Sequence, residues 1–587
     1  MGSSGTGLIN SGMADPAGHA VELVELRVLE GPNLYFTRPA IKLTLAMPGW
    51  LELPASRVEH EAERLKLSPA GPPGALATEH RRRYLARLAA HVTRSVAEAS
   101  GSQVAVRGRI GPEPEQVVVA FPWRRQGVAE ALGAEVARLL DTCLRDHRRI
   151  DTLIGESVER LQSADPGVAP SVPEPAIPVV AVTGTNGKTT TVRLLAHLAR
   201  TAGKTVAYTS TDGVYRNQEL KVPGDYSGFG GAAEALGQPG IDLAVLEVAR
   251  GGILLRGIGA AHNDVAVVTN VSEDHLDQYG IRTLDQLAEV KASITHITRP
   301  DGWDILNADD PRVLSMSREA RGRTWLFSVD HDHPAIRDTL AHRGRATTVI
   351  DGYLTAEFSR RDVRRLLKLE DIPVTLAGIS THNIRNAMAA SSAALALGLS
   401  EEAVIRGLKS FVLDPERNPG RANLFELDGR IVLIDYAHNE DGMRGLVEIC
   451  QGLRPANAEI WLAFGSAGDR TDTILKRVAY TAAKGSDHLA IAELHRYLRG
   501  RDSMELLHRQ RQGAAEAGVH EVPAFPDEIH ALEWMLGQSK PPAVVAITAL
   551  AQRPEIFALL EKRKATRMSP ARVRELVRRA RARATRG

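Results

Sequence analysis

The fold of this chain is decided by one stretch, VVAVTGTNGKTTT, which occupies residues 179–191. The run from Ile177 to Val182 is rich in β-branched residues, and such a run predicts a buried parallel strand. A glycine-containing loop follows, and an apolar helical spacing begins at Val192. A strand, a glycine loop and a helix in this order predict a phosphate cradle, because loop N–H groups and the helix N-terminus face anionic oxygens.

The residue types in the loop assign chemical roles. Lys188 can reach the β- and γ-phosphates of a nucleotide, and the Thr189 hydroxyl can hold Mg²⁺. The strict P-loop pattern has glycine where this chain has Val182, so only the second half of the generic motif is met. The alternative is a chance Gly-Lys-Thr string, but the flanking strand and helix favour nucleotide binding. The predicted nucleotide-binding residues are Gly184, Thr185, Asn186, Gly187, Lys188, Thr189 and Thr190.

Length and composition indicate an ordinary globular protein. A chain of 587 residues should hold about three domains, and its many small residues are typical of α/β proteins. No apolar run reaches the roughly 20 residues that cross a bilayer. The two cysteines, Cys143 and Cys450, are too far apart for a disulfide framework or a zinc site, so we expect a reducing cytoplasm. Residues 1–20 are interpreted as a disordered leader or tag.

The first region, residues 21–163, has an α+β pattern. Alternation predicts strands near its start and a hairpin that joins residues 103–107 to residues 116–121. The region contains no catalytic constellation. Its arginines at 81–83 indicate a solvated face, with anion binding as the alternative. Residues 164–176 are rich in proline and predict an extended linker.

The second region, residues 177–410, alternates strands and helices and predicts a mostly parallel sheet. Ligands of such sheets lie beyond the carboxyl ends of the strands, where Glu247, Asn270 and His275 fall. Glu247 ends an apolar run, and an unpaired buried charge costs several kcal/mol, so its position favours a bound cation such as Mg²⁺. The alternatives are a solvent-facing carboxylate for Glu247 and a structural hydrogen bonder for His275. Lys291 lies on an amphipathic helix, where a lysine is ordinarily a solvated charge.

The third region, residues 411–560, predicts a Rossmann-like domain with polar loops at the strand ends. A tight turn, NPGR at 418–421, presents Arg421, whose guanidinium suits phosphate. Just before this region, Asn383 and Asn386 either bond adenine edges or serve as an N-cap and a buried amide. The basic tail, residues 561–587, is interpreted as a solvated surface helix or as a contact for an anionic polymer, nucleic acid or acidic partner.

Several motifs resemble one known family. The strings TGTNGKTTT, NVSEDHLD and AEVK match the order and spacing of Mur ligase central domains, and PGR, DYAHN and GxxGDR resemble Mur ligase C-terminal domains. LEVARGGILLRG, followed by DVAVVTNVSEDHL, is similar to the ligase domain of cyanophycin synthetases. ELRVLEGPNLYF and the region after it resemble the N-terminal domain of those synthetases more weakly. The ATP-grasp module that separates the two parts in cyanophycin synthetases is replaced here by the proline-rich linker.

The resemblance implies site residues as well as an α/β fold. Thr189 and Glu247 would hold one Mg²⁺, and His275 would share a second Mg²⁺ with Lys291, which is commonly carbamylated in such ligases. Lys188, His275, Lys291 and Arg421 would form the catalytic set. Arg421 and Asp435 would contact ATP, His438 would lie near it, and Asn383 and Asn386 would bind adenine. From their position after a strand, we expect the incoming amino acid to be faced by Glu493, His495, Arg496 and Arg499.

The resulting prediction is an ATP-dependent amide ligase that activates a carboxylate as an acyl phosphate and couples it to an amino-acid amine. By resemblance, the acid is an aspartyl-containing peptide and the amine belongs to arginine or lysine. The alternatives are a ligase for a small acid or a cell-wall-type peptide, and a non-catalytic ATP-binding scaffold for an anionic polymer. We expect no membrane partner and no nucleic acid, and a homo-oligomer stays open as an alternative to a monomer.

Overall fold

The computed structural model describes residues 19–67, 71–146, 148–274 and 276–584. Apart from residues 19 and 20, the predicted leader lies outside these ranges, and so does His275. Within them, no helix combines the length and the apolar character that crossing a bilayer requires. The described chain forms three sheets, each with helices packed against it.

The first sheet has four antiparallel strands in the order β1-β2-β4-β3. Its strands are β1 (Glu22–Leu29), β2 (Ala40–Ala46), β3 (Arg107–Ile110) and β4 (Gln116–Pro122). Its helices are α1 (Pro48–Leu51), α2 (Ala55–Arg64), α3 (Glu79–Ala99), α4 (Gln126–Arg145) and α5 (Ile150–Gln162). The Thr78 side chain caps α3, whose apolar face packs on the sheet and forms this unit's own core.

The hairpin prediction for residues 103–107 is wrong in position, because the strand runs from Arg107 to Ile110. The register pairs Arg107 with Ala120 and would place Ala105 opposite Pro122. Proline has no backbone N–H to donate to a ladder, so the strand begins only at Arg107. Residues 103–106 are therefore not part of the strand.

Between Gln162 and Val179 the chain forms no regular helix or strand, and it leads directly into an eleven-stranded sheet. The strand order is β15-β14-β13-β12-β11-β10-β5-β9-β6-β7-β8, and all pairs from β13 to β6 are parallel. The strands are β5 (Val179–Thr183), β6 (Val206–Ser210), β7 (Gly213–Arg216), β8 (Glu219–Pro223), β9 (Leu243–Glu247), β10 (Asn263–Val268), β11 (Thr298–Asn307), β12 (Arg323–Ser328), β13 (Arg345–Ile350), β14 (Tyr353–Ser359) and β15 (Asp362–Lys368). The helices are α6 (Lys188–Thr201), α7 (Phe229–Leu236), α8 (Arg250–Leu255), α9 (Leu284–Ala292), α10 (Pro311–Ser315), α11 (Pro334–Ala341), α12 (Thr381–Ala396) and α13 (Glu401–Ser410).

This order places the predicted phosphate loop at the centre of the sheet. The strand β5 is flanked by β9 on one side and β10 on the other, so the chain leaves β5 at a point where neighbouring connections diverge. Ligands of parallel sheets bind at such switch points. Helices cover both faces, and two apolar clusters fill the space between helices and sheet.

The third sheet has the order β20-β19-β18-β21-β17-β16-β22, with parallel pairing from β20 to β17. The strands are β16 (Asn423–Leu427), β17 (Arg430–Asp435), β18 (Glu459–Phe464), β19 (His488–Ala492), β20 (Ala524–Phe525), β21 (Ala543–Thr548) and β22 (Thr566–Arg567). The helices are α14 (Glu440–Leu453), α15 (Asp472–Gly485), α16 (Ser503–Glu516), α17 (Glu528–Gln538), α18 (Arg553–Lys562) and α19 (Pro570–Ala584).

The basic C-terminal segment is attached to this third unit. The strand β22 pairs with β16, and α19 packs against α14. Val573, Leu576 and Val577 are buried at this contact, as their helical spacing indicates. The Arg581 guanidinium donates to the carbonyls of Ala377 and Gly378 in the second unit, both at 3.3 Å. One face of the helix is therefore apolar and docked, while arginines occupy the rest.

We predict that Leu576→Ala lowers the thermal stability of the full chain by about 2 kcal/mol, because it removes a buried side chain from the α19–α14 contact. Differential scanning calorimetry measures the change. Arg578→Ala, which alters an exposed residue of the same helix, is the matched control and should leave the transition in place. Equal transitions for the wild type and Leu576→Ala would show that α19 does not stabilise the unit.

Candidate active site

The phosphate loop has the predicted strand–loop–helix geometry. Its strand ends at Thr183, and α6 begins at Lys188 with Gly187 as its N-cap in a left-handed conformation, φ +88°. A Cβ on Gly187 would lie 2.2 Å from the Asn386 side-chain oxygen, and one on Gly184 would lie 1.8 Å from the Thr269 hydroxyl. Both positions therefore require glycine. The loop is compressed between α12 and the segment after β10.

Lys188 folds back over its own loop. Its ammonium donates to the carbonyls of Gly184 at 3.0 Å and Thr185 at 2.8 Å. Burial lowers the pKa of Lys188, while the nearby charge of Glu247 opposes that shift. The loop carbonyls occupy the amine in this structure, and phosphate oxygens are a stronger, charged alternative acceptor.

Thr189 and Glu247 form the pair that was predicted to hold Mg²⁺. The Thr189 hydroxyl lies 3.0 and 3.2 Å from the two carboxylate oxygens of Glu247. Glu247 is only 2% exposed, and burial raises its pKa despite the opposing charges of Lys188 and Arg421. A buried carboxylate beside a hydroxyl offers the hard oxygen donors that Mg²⁺ prefers, so these residues fit the ion.

Lys291 is brought to the loop by α9. It is 4% exposed, and its amine donates to the Gly184 carbonyl at 2.7 Å. Burial and the neighbouring charge of Lys188 lower the pKa of Lys291 well below its usual value. An unprotonated amine is nucleophilic, so the site fits carbamylation by CO₂. The other predicted ligand of the second metal, His275, lies outside the described residues.

The third unit supplies Arg421 from the opposite side. The Arg421 guanidinium lies over the Tyr436 ring, 4.2 Å from its centroid. Asp435 accepts a hydrogen bond from the Ala422 N–H at 2.8 Å, and burial raises the pKa of its carboxyl. Asp435 thus holds the turn that carries Arg421, and it does not line the cavity described next. His438 lies 3.4 Å from Asp274.

Most predicted residues surround one cavity of about 550 Å³ between the second and third units. Those that line it are Gly184, Thr185, Asn186, Gly187, Lys188, Thr189, Thr190, Glu247, Lys291, Arg421, His438 and Arg499. Glu493, His495 and Arg496 are not among the described lining residues. Glu493 instead accepts a hydrogen bond from the Ser503 hydroxyl at 2.6 Å.

The predicted adenine-binding amides lie on the other side of the loop. The Asn386 amide donates to the Asn383 side-chain oxygen at 3.1 Å, so the pair is internally bonded. Asn386 lines a small second cavity of about 70 Å³ that also contacts Asn186 and Gly187. Asn383 lines neither of these two cavities. Only Asn386 is therefore directly presented to a ligand in this arrangement.

Sequence reasoning missed several cavity residues. Arg250, Asp274 and Arg470 line the 550 Å³ cavity, and all three follow strand ends within the quoted motifs, Arg250 as the first residue of α8. Glu247 was selected because ligands lie beyond the carboxyl ends of parallel strands, and the same reasoning applies to these three residues. The Arg470 guanidinium lies 3.2 Å from Asp274, which joins the second and third units. Asp225 also lines the cavity, but it lies in a loop without any motif.

Polar contacts hold the two units together around the loop. The side-chain amides of Asn186 and Asn439 exchange two hydrogen bonds at 3.0 and 3.1 Å. The Asn418 amide donates to the Thr190 hydroxyl at 3.2 Å. Two residues of the phosphate loop and its helix are thus bonded to the third unit, so the cavity is formed jointly by both.

Sequence profiles of two domains match the chain. The Mur ligase middle domain matches residues 182–394, and the Mur ligase glutamate ligase domain matches residues 420–549. Together they match more than half of the 587 residues. The chain belongs to the Mur ligase family. Both matched ranges of this Mur ligase contribute to the cavity, through Lys188, Glu247 and Lys291 in the first and Arg421 in the second.

Curated relatives support this assignment. The chain is 42% identical to a cyanophycin synthetase of Geminocystis herdmanii over 317 residues, which are 54% of this chain and 36% of that protein. It is 35% identical to a cyanophycin synthetase of Nostoc sp. over 423 residues, which are 68% of this chain and 46% of that protein. The predicted resemblance to cyanophycin synthetases is confirmed, and the chain spans less than half the length of these relatives.

Solved structures confirm the fold class. The Mur ligase chain superimposes on a bifunctional folylpolyglutamate synthase/dihydrofolate synthase from Yersinia pestis with a TM-score of 0.50 at 19% sequence identity. The match covers 66% of this chain and 91% of that chain. The predicted α/β architecture with parallel-sheet units is therefore correct.

We predict that Glu247→Gln stabilises the metal-free protein at pH 8 more than at pH 5. Because burial raises the folded-state pKa of Glu247, the stability that depends on this group is present at acidic pH and is lost as the pH rises through that pKa. Gln removes the charge and therefore the loss. A gain of about 1 kcal/mol corresponds to roughly 2–4 °C in the melting temperature for a domain of 150–250 residues.

Thermal melts in excess chelator at both pH values measure this difference. Glu234→Gln, which neutralises an exposed carboxylate on α7, is the control and should show no such pH dependence. Added Mg²⁺ and ATP should reverse the order, because the ion then stabilises only the wild type. An equal effect of Glu247→Gln at both pH values would contradict a raised pKa.

Proposed function

We propose that this Mur ligase is an ATP-dependent, ADP-forming carboxylate–amine ligase. The observation that carries the proposal is the convergence of Lys188, Lys291, Arg421 and the Thr189–Glu247 pair on one cavity between two units. A substrate carboxylate attacks the γ-phosphate, which gives an acyl phosphate and ADP. An amino-acid amine then attacks the activated carbonyl, the amide forms, and phosphate leaves.

The residues present match what this chemistry needs. Phosphoryl transfer depends on positioning and on neutralising charge, with little covalent participation by the protein. Lys188 and Arg421 supply cations from opposite walls, and Glu247 with Thr189 would hold Mg²⁺, which neutralises phosphate charge when bound. No nucleophilic side chain is required. Contact between the units around bound substrates would limit the access of water, which hydrolyses an acyl phosphate.

Lys291 is the proposed site of a carbamate. Addition of CO₂ to its neutral amine forms an N–C bond, and loss of one N–H proton leaves a carbamate, so a neutral amine is replaced with an oxygen anion. That anion and His275 would hold a second Mg²⁺. The burial of Lys291 and its lowered pKa support this assignment, because both favour the neutral amine.

The acid substrate is proposed to be a peptide and the amine that of a basic amino acid, as in the cyanophycin synthetases that the chain resembles. A cavity of about 640 Å³ between the first and second units supports a substrate larger than a small acid. It meets the 550 Å³ cavity at the phosphate loop, which we call the nucleotide cavity, at Tyr279. Tyr279 lines both cavities. Arginines from the first unit, among them Arg82 and Arg109, line the 640 Å³ cavity and suit carboxylates.

Two alternatives are kept for test. A ligase for a small acid or a cell-wall-type peptide is favoured by the 29% identity over 310 residues to a UDP-N-acetylmuramoyl-L-alanyl-D-glutamate–2,6-diaminopimelate ligase of Geobacter metallireducens, covering 51% of this chain and 56% of that protein. A non-catalytic scaffold for an anionic polymer would use the arginines of α19. Retention of Lys188, Glu247 and Lys291 at the cavity weighs against the scaffold.

We predict that Lys188→Ala and Lys291→Ala each lower ATP-dependent phosphate release by about 100-fold or more, because the first removes a preorganised cation at the reacting phosphate and the second removes the proposed carbamate that would hold a Mg²⁺. Phosphate release is measured with panels of amino acids and acidic peptides. Lys204→Ala, an exposed lysine after α6, is the matched control and should retain full activity. Unchanged turnover in both cavity variants would refute the ligase assignment, and nucleotide binding without turnover on any panel would favour the scaffold.

We also predict that Arg109→Gln raises KM for a peptide acid roughly two- to fivefold, the value of one exposed charge contact. The KM for ATP should stay unchanged, because Arg109 does not line the cavity at the phosphate loop. Steady-state kinetics with both substrates measure the two constants. Arg107→Gln, on the same strand but outside the described cavity lining, is the control. An equal effect of the two variants would argue against this path for the acid.

A further inference from the structure

The segment that carries Arg421 is held in place from outside the cavity. Asp212 lies in the loop after β6, directly after Thr211, which lines the nucleotide cavity. The Arg193 guanidinium, from the phosphate-loop helix, lies 2.6 Å from one oxygen of the Asp212 carboxylate. The Arg553 guanidinium, from the first turn of α18 in the third unit, lies 2.5 Å from the other oxygen. One carboxylate thus joins the two units through both of its oxygens.

Both arginines also reach the chain around the turn at 418–421. Arg193 donates to the Arg417 carbonyl at 3.2 Å, and Arg553 donates to the Pro419 carbonyl at 3.5 Å. The stem of Arg553 lies against Gly420, where an added Cβ would come within 2.6 Å of the Arg553 Cδ. The turn therefore rests directly on the Arg553 side chain.

Burial makes this ion triad more than a surface contact. The Arg193 side chain is 3% exposed and the Asp212 side chain is 17% exposed. Although burial opposes ionisation, Arg193 and Arg553 hold the pKa of Asp212 below its usual value. Separating these side chains would leave a charge unpaired in a poorly solvated place, which is costly. The triad therefore holds Arg193, Asp212 and Arg553 in fixed relative positions.

We propose that Arg553 and Asp212 are positioning residues that hold the turn at 418–421 and thereby aim Arg421 into the nucleotide cavity. The inference rests on the proposed function, in which Arg421 meets a phosphate. Neither Arg553 nor Asp212 lines the nucleotide cavity. Their effect on the reaction is transmitted through the position of Arg421, and it exists only when the second and third units are closed on each other.

The test is a double-mutant cycle in the full chain with Arg553→Gln, Arg421→Ala and the double variant. Residues that act as a unit are non-additive, so Arg553→Gln alone should reduce turnover about tenfold but cause no further loss in the Arg421→Ala background. Asp212→Asn should behave in the same way. Arg553→Lys keeps the charge but loses the fork, so its activity should fall between those of the wild type and Arg553→Gln.

Arg563→Gln is the matched control, since Arg563 follows the same helix α18 and pairs with Glu533 at an exposed site. Hydrogen exchange at residues 411–423 supplies an activity-independent readout: it should rise in Arg553→Gln and Asp212→Asn and stay unchanged in Arg563→Gln. Multiplicative losses in the double variant, or unchanged exchange at 411–423, would overturn the proposal. Melting temperatures identify variants that fail to fold. If Arg553→Gln is one of them, the double-mutant cycle is run with Arg553→Lys in its place.

The cycle separates this proposal from the proposed function. If the wild type shows no ligase turnover, the affinities for ADP and for a non-hydrolysable ATP analogue, measured by calorimetry, replace the rates. The same non-additivity between Arg553 and Arg421 is then expected in the analogue affinity. Additive affinities would overturn the positioning role even where the ligase assignment holds.

Discussion

Two lysine amines converge on one carbonyl oxygen, that of Gly184, and the rest of the site follows from this crowding. Lys188 and Lys291 donate to it at 3.0 and 2.7 Å. Burial lowers the pKa of both lysines, and the charge of Lys188 lowers the pKa of Lys291 further. Glu247 opposes that positive field from the neighbouring strand. An anionic phosphate would relieve this crowding of cations, and so would the proposed conversion of Lys291 to a carbamate.

The site also depends on contact between the second and third units, because each of them supplies part of it. The phosphate loop, the Thr189–Glu247 pair and Lys291 belong to the second unit, whereas Arg421 and His438 belong to the third. The contacts between the units include polar ones, such as the Asn186–Asn439 amide pair and the Asp212 triad, and an apolar cluster that contains residues of both units. Exposed polar contacts can be exchanged with water at modest cost, but the buried Asp212 triad cannot, so it favours the closed arrangement of the two units.

The fold was predictable where the sequence pattern of a segment matches its burial in the folded protein. The strand before the phosphate loop is buried on both faces and is continuously apolar, so its sequence has only one interpretation. The prediction was incomplete at the sheet edges. The hairpins β7–β8 and β14–β15 extend the central sheet on both sides, but they are antiparallel and their outer strands are largely exposed, so pattern alone does not distinguish those strands from loops. The strand predicted at residues 103–107 lies instead at Arg107–Ile110, because its pairing is limited by Pro122 on the partner strand.

For this protein, the sequence by itself determined the order of the units, the phosphate loop and the polar residues at strand ends, because glycines, short apolar strands and their flanking loops are local signals. The Mur ligase motifs added candidate roles to those positions. Only the tertiary structure decided that Asp435 supports the Arg421 turn, that Asn383 is bonded to Asn386, and that Asp212 joins Arg193 to Arg553. Those relations unite residues that are up to 341 positions apart, and no local pattern encodes a contact that exists only after separate sheets have packed together.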